Sequence, residues 1–261
     1  MPLVDKNNKH EEGPNSYQDF ALVYDEMMEE LPYPAWASYV TAQAQRYGIA
    51  QPGPVLDLAC GTGIFLELMA ERGWEGTGVD LSSSMLAVAE ERLSKFQTKP
   101  RLFCQDLREL ELASEFPLIT CLCDSLNYIT SLQDLQKILS RVKNLLSPQG
   151  VFIADLNSCY KYANVLGDNV FAETYQNSAY IWLNTFDQKS GICRMELDFF
   201  LRKTGELFRH FHETHIQRAY TINDFVDLAK TAGFSSIEVF GTFSFTPPAP
   251  EEERIFFLCR G

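Results

Sequence analysis

The chain of 261 residues is 46% hydrophobic, ample for one large domain or for a domain carrying an insertion. Its formal charge of −13, with no run of lysine or arginine to form a stripe, would repel a phosphate backbone and argues against nucleic acid, with tRNA the residual case. Seven cysteines, at positions 60, 104, 121, 123, 159, 193 and 259, form no CxxC pair and sit mostly in apolar runs, so neither a metal site nor a disulfide framework is expected.

In chain order, residues 1 to 15 are polar and aperiodic and predict a disordered tail. They hold no apolar run for a signal peptide or membrane span, which makes the cytoplasm the expected location and gives no reason to expect a membrane partner. A helical lead-in is expected over 16 to 50. Ser16 to Asp25 and Pro32 to Trp36 concentrate aromatic rings there, either to offer π faces and hydroxyls to a bound cation or only to dock the lead-in on the core.

The most informative window is Pro54 to Leu93. Val55 to Ala59 is a short apolar run suited to a buried parallel strand, with Asp57 inside it. Gly61 and Gly63 leave no side chain between the backbone and a ligand, and either can take φ angles closed to other residues. Ile64, Phe65, Leu68 and Met69 then keep helical spacing up to Gly73. A second strand, Gly76 to Asp80, ends on an acid seventeen positions after Gly63, the usual place for a carboxylate that reads both hydroxyls of a ribose. Two details separate this from a dinucleotide site. The third glycine of the dinucleotide pattern is replaced by Leu66, and Asp57 would be repelled by a pyrophosphate, whereas it could hold an amino group.

DLACGTG, GVDLSSSML and the later CQDLREL resemble the first three motifs of class I S-adenosylmethionine-dependent methyltransferases, over residues 54 to 110. That resemblance implies S-adenosyl-L-methionine as methyl donor, with Asp57, Ala59, Gly61 and Gly63 around its methionine end, Asp80 on the ribose and Leu81 beside the adenosine. Met85 falls where such enzymes place an apolar side chain near adenine, although Met85, Ala89, Leu93 and Phe96 also make an ordinary helical core stripe. Asp106 fits the position that accepts from the adenine amino group, and Leu107 could offer its backbone N–H. The VYD segment and RHFHETHIQRAYTINDFVDLAKTAGF extend the resemblance, over roughly 17 to 260, to bacterial amino-sugar N,N-dimethyltransferases, and more distantly to glycine N-methyltransferase. By that resemblance Tyr17, Tyr24 and Trp36 border the donor pocket. Where those enzymes carry another tyrosine after YD, this chain has Met27 and Met28.

A fourth strand, Phe116 to Cys123, leads into Asp124 to Ile129 at the carboxyl edge of the sheet, so Cys123 and Asp124 should face the donor. Helical spacing from Leu132 to Leu146 and a turn at Ser147 to Gly150 precede a fifth strand, Val151 to Leu156. Three strand-like runs, Ala179 to Asp187, Ile192 to Arg202 and Leu207 to Arg218, then form an antiparallel meander, and a helix with two strands completes the fold. The expected architecture is thus α/β: a doubly wound, mostly parallel, seven-stranded Rossmann-like sheet with an antiparallel β insertion after the fifth strand. Residues 51–171 and 219–261 make the core, and 172–218 an insertion serving as acceptor lid or dimer element, in a monomer or homodimer. Tyr128, His210 and His212 are the candidate catalytic groups toward a small-molecule acceptor, with an amine nitrogen the expected target. The alternatives are a non-catalytic regulatory protein that binds the donor, or transfer to an oxygen, protein or tRNA acceptor.

Overall fold

A computed structural model describes residues 31–261, so the expected tail and the first half of the lead-in, with Tyr17 and Tyr24, lie outside the described residues. Strands β1 (Pro54–Leu58), β2 (Glu75–Asp80), β3 (Arg101–Cys104), β4 (Phe116–Cys121) and β5 (Leu146–Asn157) are joined by parallel pairing. Strands β6 (Val170–Thr174), β7 (Ser178–Asp187), β8 (Ile192–Thr204) and β9 (Leu207–Arg218) form a second, antiparallel sheet. The chain then returns through β10 (Ser236–Phe240) and β11 (Arg254–Arg260), giving a seven-stranded order β10-β11-β5-β4-β1-β2-β3 in which β11 runs antiparallel to both neighbours. Between β1 and β4 the direction of winding reverses, which opens a crevice at their carboxyl ends.

Both faces of this sheet are covered, which is why its central strands read as nearly unbroken apolar runs. On one face Leu56, Leu58, Ile119 and Phe152 pack against α4 (Leu132–Leu145) and α5 (Ile222–Thr231) through Leu135, Ile138, Leu139, Phe225 and Ala229. On the other, Val55, Leu118, Ile153 and Phe256 meet Trp36 and Val40 of α1 (Tyr33–Arg46) and Phe65 and Met69 of α2 (Ile64–Glu71). Helix α3 (Ser83–Leu93) is capped by Ser82, whose hydroxyl accepts from the Met85 N–H at 3.3 Å. Leu66, which stands in for a third glycine, lies over Gly78 of β2. A methyl group on Gly78 would sit 2.7 Å from the Leu66 side chain, so the neighbouring strand supplies the clearance that α2 does not.

The meander has four strands rather than three. Strand β6 was missed because it is a short, largely exposed edge strand without apolar alternation, and it begins at Val170, inside the stretch expected to belong to the core. A π-helical turn, Lys161–Leu166, carries the chain to it. Strand β4 also stops earlier than its apolar run suggests, at Cys121 rather than Cys123. The residues that follow β4 curl away to line the crevice.

The two faces of the second sheet differ. Cys193, Met195, Leu197 and Phe199 point toward Met85, Tyr162 and Leu166, and Phe171, Tyr180, Trp182 and Phe211 pack on the same cluster. By register and alternation Glu213, His215 and Gln217 share this inner face. Glu196, Asp198, His210, His212 and Thr214 occupy the outer one.

Candidate active site

The crevice is lined by Tyr33, Asp57, Ala59, Cys60, Gly61, Thr62, Ile64, Phe65, Leu122, Cys123 and Ser125. Three of its flanking residues carry side chains yet adopt left-handed backbone: Ala59 at φ 55°, Cys123 at φ 56° and Asp124 at φ 52°. Such conformations persist only where the surroundings impose them, and here they end β1 and β4 abruptly at the opening.

Asp80 organises the glycine loop. Its Oδ2 accepts from the Gly61 N–H and its Oδ1 from the Ser82 N–H, both at 2.8 Å. Burial pushes the Asp80 carboxyl up from its ordinary value, and the N–H groups of Ser82, Gly61 and Leu81 pull against that rise. A Cβ built on Gly61, at φ +54°, meets nothing within 4 Å, so the space above the loop belongs to whatever binds there. Arg92 of α3, absent from the sequence-based candidates, locks the loop from below: its Nε donates to the Thr62 carbonyl at 2.9 Å and its Nη1 to Glu67 at 3.0 Å.

Asp57 is buried in β1 and accepts from the Thr120 hydroxyl of β4 at 2.7 Å. Burial raises its carboxyl to about 7, against the pull of Thr120 and with a further push from Asp80. No cation among the described residues pairs with it. A ligand ammonium would meet a carboxyl whose charge it restores.

Behind the loop after β4 sits a buried ionic group. Asp155 of β5 accepts from the N–H groups of Cys123 at 2.8 Å and Asp124 at 3.2 Å, and pairs with Arg254 at the start of β11. Arg254 also donates to Asp124 at 2.8 Å and lies over the Trp36 ring at 5.2 Å. Burial works against its charge, and Asp155 and Asp124 outweigh that, so its pKa rises. Gln217 of β9 reaches the other Asp124 oxygen at 3.0 Å, tying the second sheet to the crevice. The Asp124 carboxylate, expected at the donor, is therefore spent on Arg254 and Gln217, because the buried guanidinium needs both acids. An acid in VFIADLN and an arginine opening a strand were the only sequence signals for this group.

Other expected residues fall at several distances from the crevice. Trp36 stands one layer behind it, 2% exposed, its ring 5.5 Å from that of Tyr33, which does line the opening. Leu81 is 67% exposed beside Asp80, where an apolar surface has no protein partner to cover it. Met85 leaves the helical stripe of Ala89, Leu93 and Phe96 and packs with the second sheet instead. Asp106 is brought to the end of β2, where the Gln105 N–H bonds the Asp80 carbonyl, but its carboxylate is closed on Arg108, which lowers its pKa. Leu107 opens a short 3₁₀ turn, Leu107–Glu109, beside it.

His210 and His212 are not brought to the crevice. Both lie on the outer face, held by Asp198 at 2.7 and 3.1 Å, and His212 also by Glu196 at 2.8 Å. The alternation of β9 sends them outward and sends His215, absent from the candidates, inward to Tyr128 at 3.1 Å. No group of residues able to hold a metal occurs among the described residues.

Comparison with known proteins supplies the family. Residues 55–150 match a methyltransferase domain model. A protein of Bacillus subtilis (strain 168) that carries the name YqeM and a methyltransferase designation is 36% identical over 246 residues, covering 94% of this chain and 96% of the relative. The crystal structure of an S-adenosylmethionine-dependent methyltransferase from Clostridium acetobutylicum ATCC 824 superposes with a TM-score of 0.84 at 35% identity, covering 94% of this chain and 98% of that one. A dTDP-4-amino-2,3,4,6-tetradeoxy-D-glucose N,N-dimethyltransferase of Saccharopolyspora spinosa is 29% identical over 122 residues, 46% of this chain and 47% of the relative. A glycine loop open to a ligand, a ribose-type acid at the end of the second strand, an uncompensated buried acid and close likeness along nearly the whole chain converge, and the chain belongs to the S-adenosylmethionine-dependent methyltransferases.

Proposed function

We propose that the chain methylates an amine nitrogen of a small-molecule acceptor held between the donor crevice and the inner face of the second sheet. Bound S-adenosylmethionine supplies a methyl group on a sulfonium, which a nucleophile displaces in line. In this reading Asp57 takes the donor's ammonium, Asp80 its ribose hydroxyls, and the backbone of Ala59 and Gly61 lies against its methionine end. Leu81 and Met85 flank the adenosine, with Asp106 and Leu107 at its rim, and Tyr33 and Cys123 close the crevice toward the acceptor. Holding the two reactants in an attack geometry is worth about 7 to 11 kcal/mol, so positioning by these residues is the main catalytic device.

The observation that carries the acceptor class is the chemistry of the facing wall. Glu213 stands there beside His215 and Tyr128 and in one row with Trp182, while Glu173 and Arg209 occupy the next two rows of the same face, and a carboxylate among aromatic rings suits an amine. The likeness to an amino-sugar N,N-dimethyltransferase supports nitrogen as the target atom. No described helix is long and apolar enough to cross a membrane, and a cytoplasmic enzyme suits this reading.

The test is a screen of small amines, amino sugars, phenols, carboxylates and tRNA for release of S-adenosylhomocysteine, with mass spectrometry locating the added methyl. Turnover on an amine is the expected result. Methylation confined to tRNA or to oxygen acceptors would overturn the acceptor class, and tight donor binding without turnover on any acceptor would point to a regulatory protein.

A further inference from the structure

The inner face of the second sheet carries a hydrogen-bonded chain that the donor crevice does not use. Tyr128 Oη lies 3.1 Å from His215 Nδ1, and His215 Nε2 lies 3.0 Å from Glu213 Oε2. The two inner members are largely shielded, His215 at 16% and Glu213 at 10% side-chain exposure, whereas Tyr128 is 46% exposed on the turn that follows the crevice residues Cys123 and Ser125. Because a carboxylate only accepts, the neutral imidazole must carry its proton on Nε2, which leaves Nδ1 to accept from the Tyr128 hydroxyl. A phenol backed by a histidine that is backed by an acid follows the logic of a nucleophile–base–orienter set, here ending on a half-exposed tyrosine. Across the register His215 faces the uncharged Met195; Glu213 and Tyr128 are titratable groups bonded to it, and Arg209 is a further charged residue on the same face of β9.

A second observation points to a ligand. Glu213 Oε1 is buried with no hydrogen-bond partner among the described residues, and so is Trp182 Nε1. Trp182, Leu197 and Glu213 stand in one row across β7, β8 and β9 on the same face. A carboxylate oxygen and an indole N–H left open in one row, about 10 Å apart by strand spacing, are an acceptor and a donor waiting for the polar groups of one molecule.

We propose that Tyr128, His215 and Glu213 form a proton relay for the methyl acceptor, and that Glu213 Oε1 and Trp182 Nε1 hold a hydroxyl or amino group and an oxygen of that same molecule. The proposal rests on the amine reading of the acceptor. The acceptor arrives as an ammonium ion and gives one proton to Tyr128 Oη while the phenol proton passes to His215 Nδ1; Glu213 stabilises the resulting imidazolium. The lone pair freed on nitrogen then forms the N–C bond, the C–S bonding pair stays on sulfur, and the surplus proton leaves from His215 to solvent. Tyr128 is the catalytic residue, and His215 and Glu213 are positioning residues acting through it.

The relay is tested without knowing the acceptor. In the full chain saturated with S-adenosylhomocysteine, ¹⁵N-histidine spectra should show neutral His215 protonated on Nε2, and Glu213→Leu, which removes the acceptor for that proton, should lose the preference. An Nδ1–H tautomer, or a preference that Glu213→Leu leaves in place, overturns the relay. With whichever screened amine turns over, Tyr128→Phe and His215→Gln should lower kcat by about a hundredfold while the affinity for S-adenosylhomocysteine stays within about twofold, and Glu213→Gln should shift the acidic limb of the kcat profile. Unchanged kcat in both variants overturns it equally. If no amine is methylated, the acceptor reading falls by itself, and the histidine spectra still decide whether the relay exists.

Discussion

The donor crevice and the acceptor wall are built in opposite ways. The bond that shapes the glycine loop, from the Gly61 N–H to Asp80, spans nineteen positions, whereas the bond from Tyr128 to His215 spans eighty-seven and that from Arg254 to Asp124 spans one hundred and thirty. A βαβ unit makes its own ligand site from adjacent residues, and such a site is visible as a motif. A wall made by a later sheet depends on register, where a shift of one residue exchanges the two faces. The difference teaches that the crevice is local in sequence, while the wall is a product of packing.

The sharpest break would come at the joint between the two regions. Arg254→Met leaves Asp155 and Asp124 buried without their cation, so it should cost about 3 to 5 kcal/mol of stability in urea unfolding and loosen the loop after β4. A loss below about 1 kcal/mol would mean that the joint is not what holds the loop.

On its proposed role at the ribose, Asp80→Ala should weaken S-adenosylhomocysteine binding by about 2 to 4 kcal/mol in titration calorimetry, and it also releases the Gly61 and Ser82 N–H groups. Retained affinity in a folded variant would take Asp80 out of the site. Gly61→Val should cost about 1 to 3 kcal/mol of the same affinity, through its positive φ and the ligand space it fills, while Cys60→Ser stays close to wild type. The reverse ranking would contradict the open space above the loop.

Asp57 gives a pH signature. Its carboxyl sits at about 7 in the folded chain, above the ordinary value of 3.8. A raised carboxyl stabilises the free protein fully below its unfolded value and loses that contribution as pH climbs toward 7. If Asp57 holds the donor's ammonium as proposed, donor binding runs the other way: affinity should rise by about tenfold per pH unit up to pH 7 and then level off. Asp57→Asn should flatten both slopes, and a sloping binding curve in that variant would assign the titration elsewhere.

The smallest effect is the most pointed for the wall. Replacing both His210 and His212 by Gln should leave donor affinity and kcat within about twofold, because they face outward against Asp198 and Glu196. A large loss of turnover would reverse the assignment of faces. One pH effect is local: burial tends to lower the His212 pKa, but Asp198 and Glu196 raise it on balance, so their pairing with it stabilises at low pH and fades as pH rises through the elevated value.

The sequence by itself determined the βαβ crevice, the donor, and the order of elements around the main sheet. Each of these rests on short-range chemistry: glycines where backbone must approach a ligand, an acid at the end of a strand, apolar runs where both faces are covered. It also placed Cys123 near the opening, but from the lead-in it chose Trp36, which the helix turns one layer inward, and passed over Tyr33, which lines the crevice. Only the tertiary structure decided which histidine lies on the inner face of the second sheet, since HFHETH reads equally well in either register and the choice is made by Cys193, Met195, Leu197 and Phe199 seeking the apolar cluster around Met85. It alone decided that Asp124 belongs to Arg254 and Asp155, because a buried cation draws in acids from strands far apart in sequence.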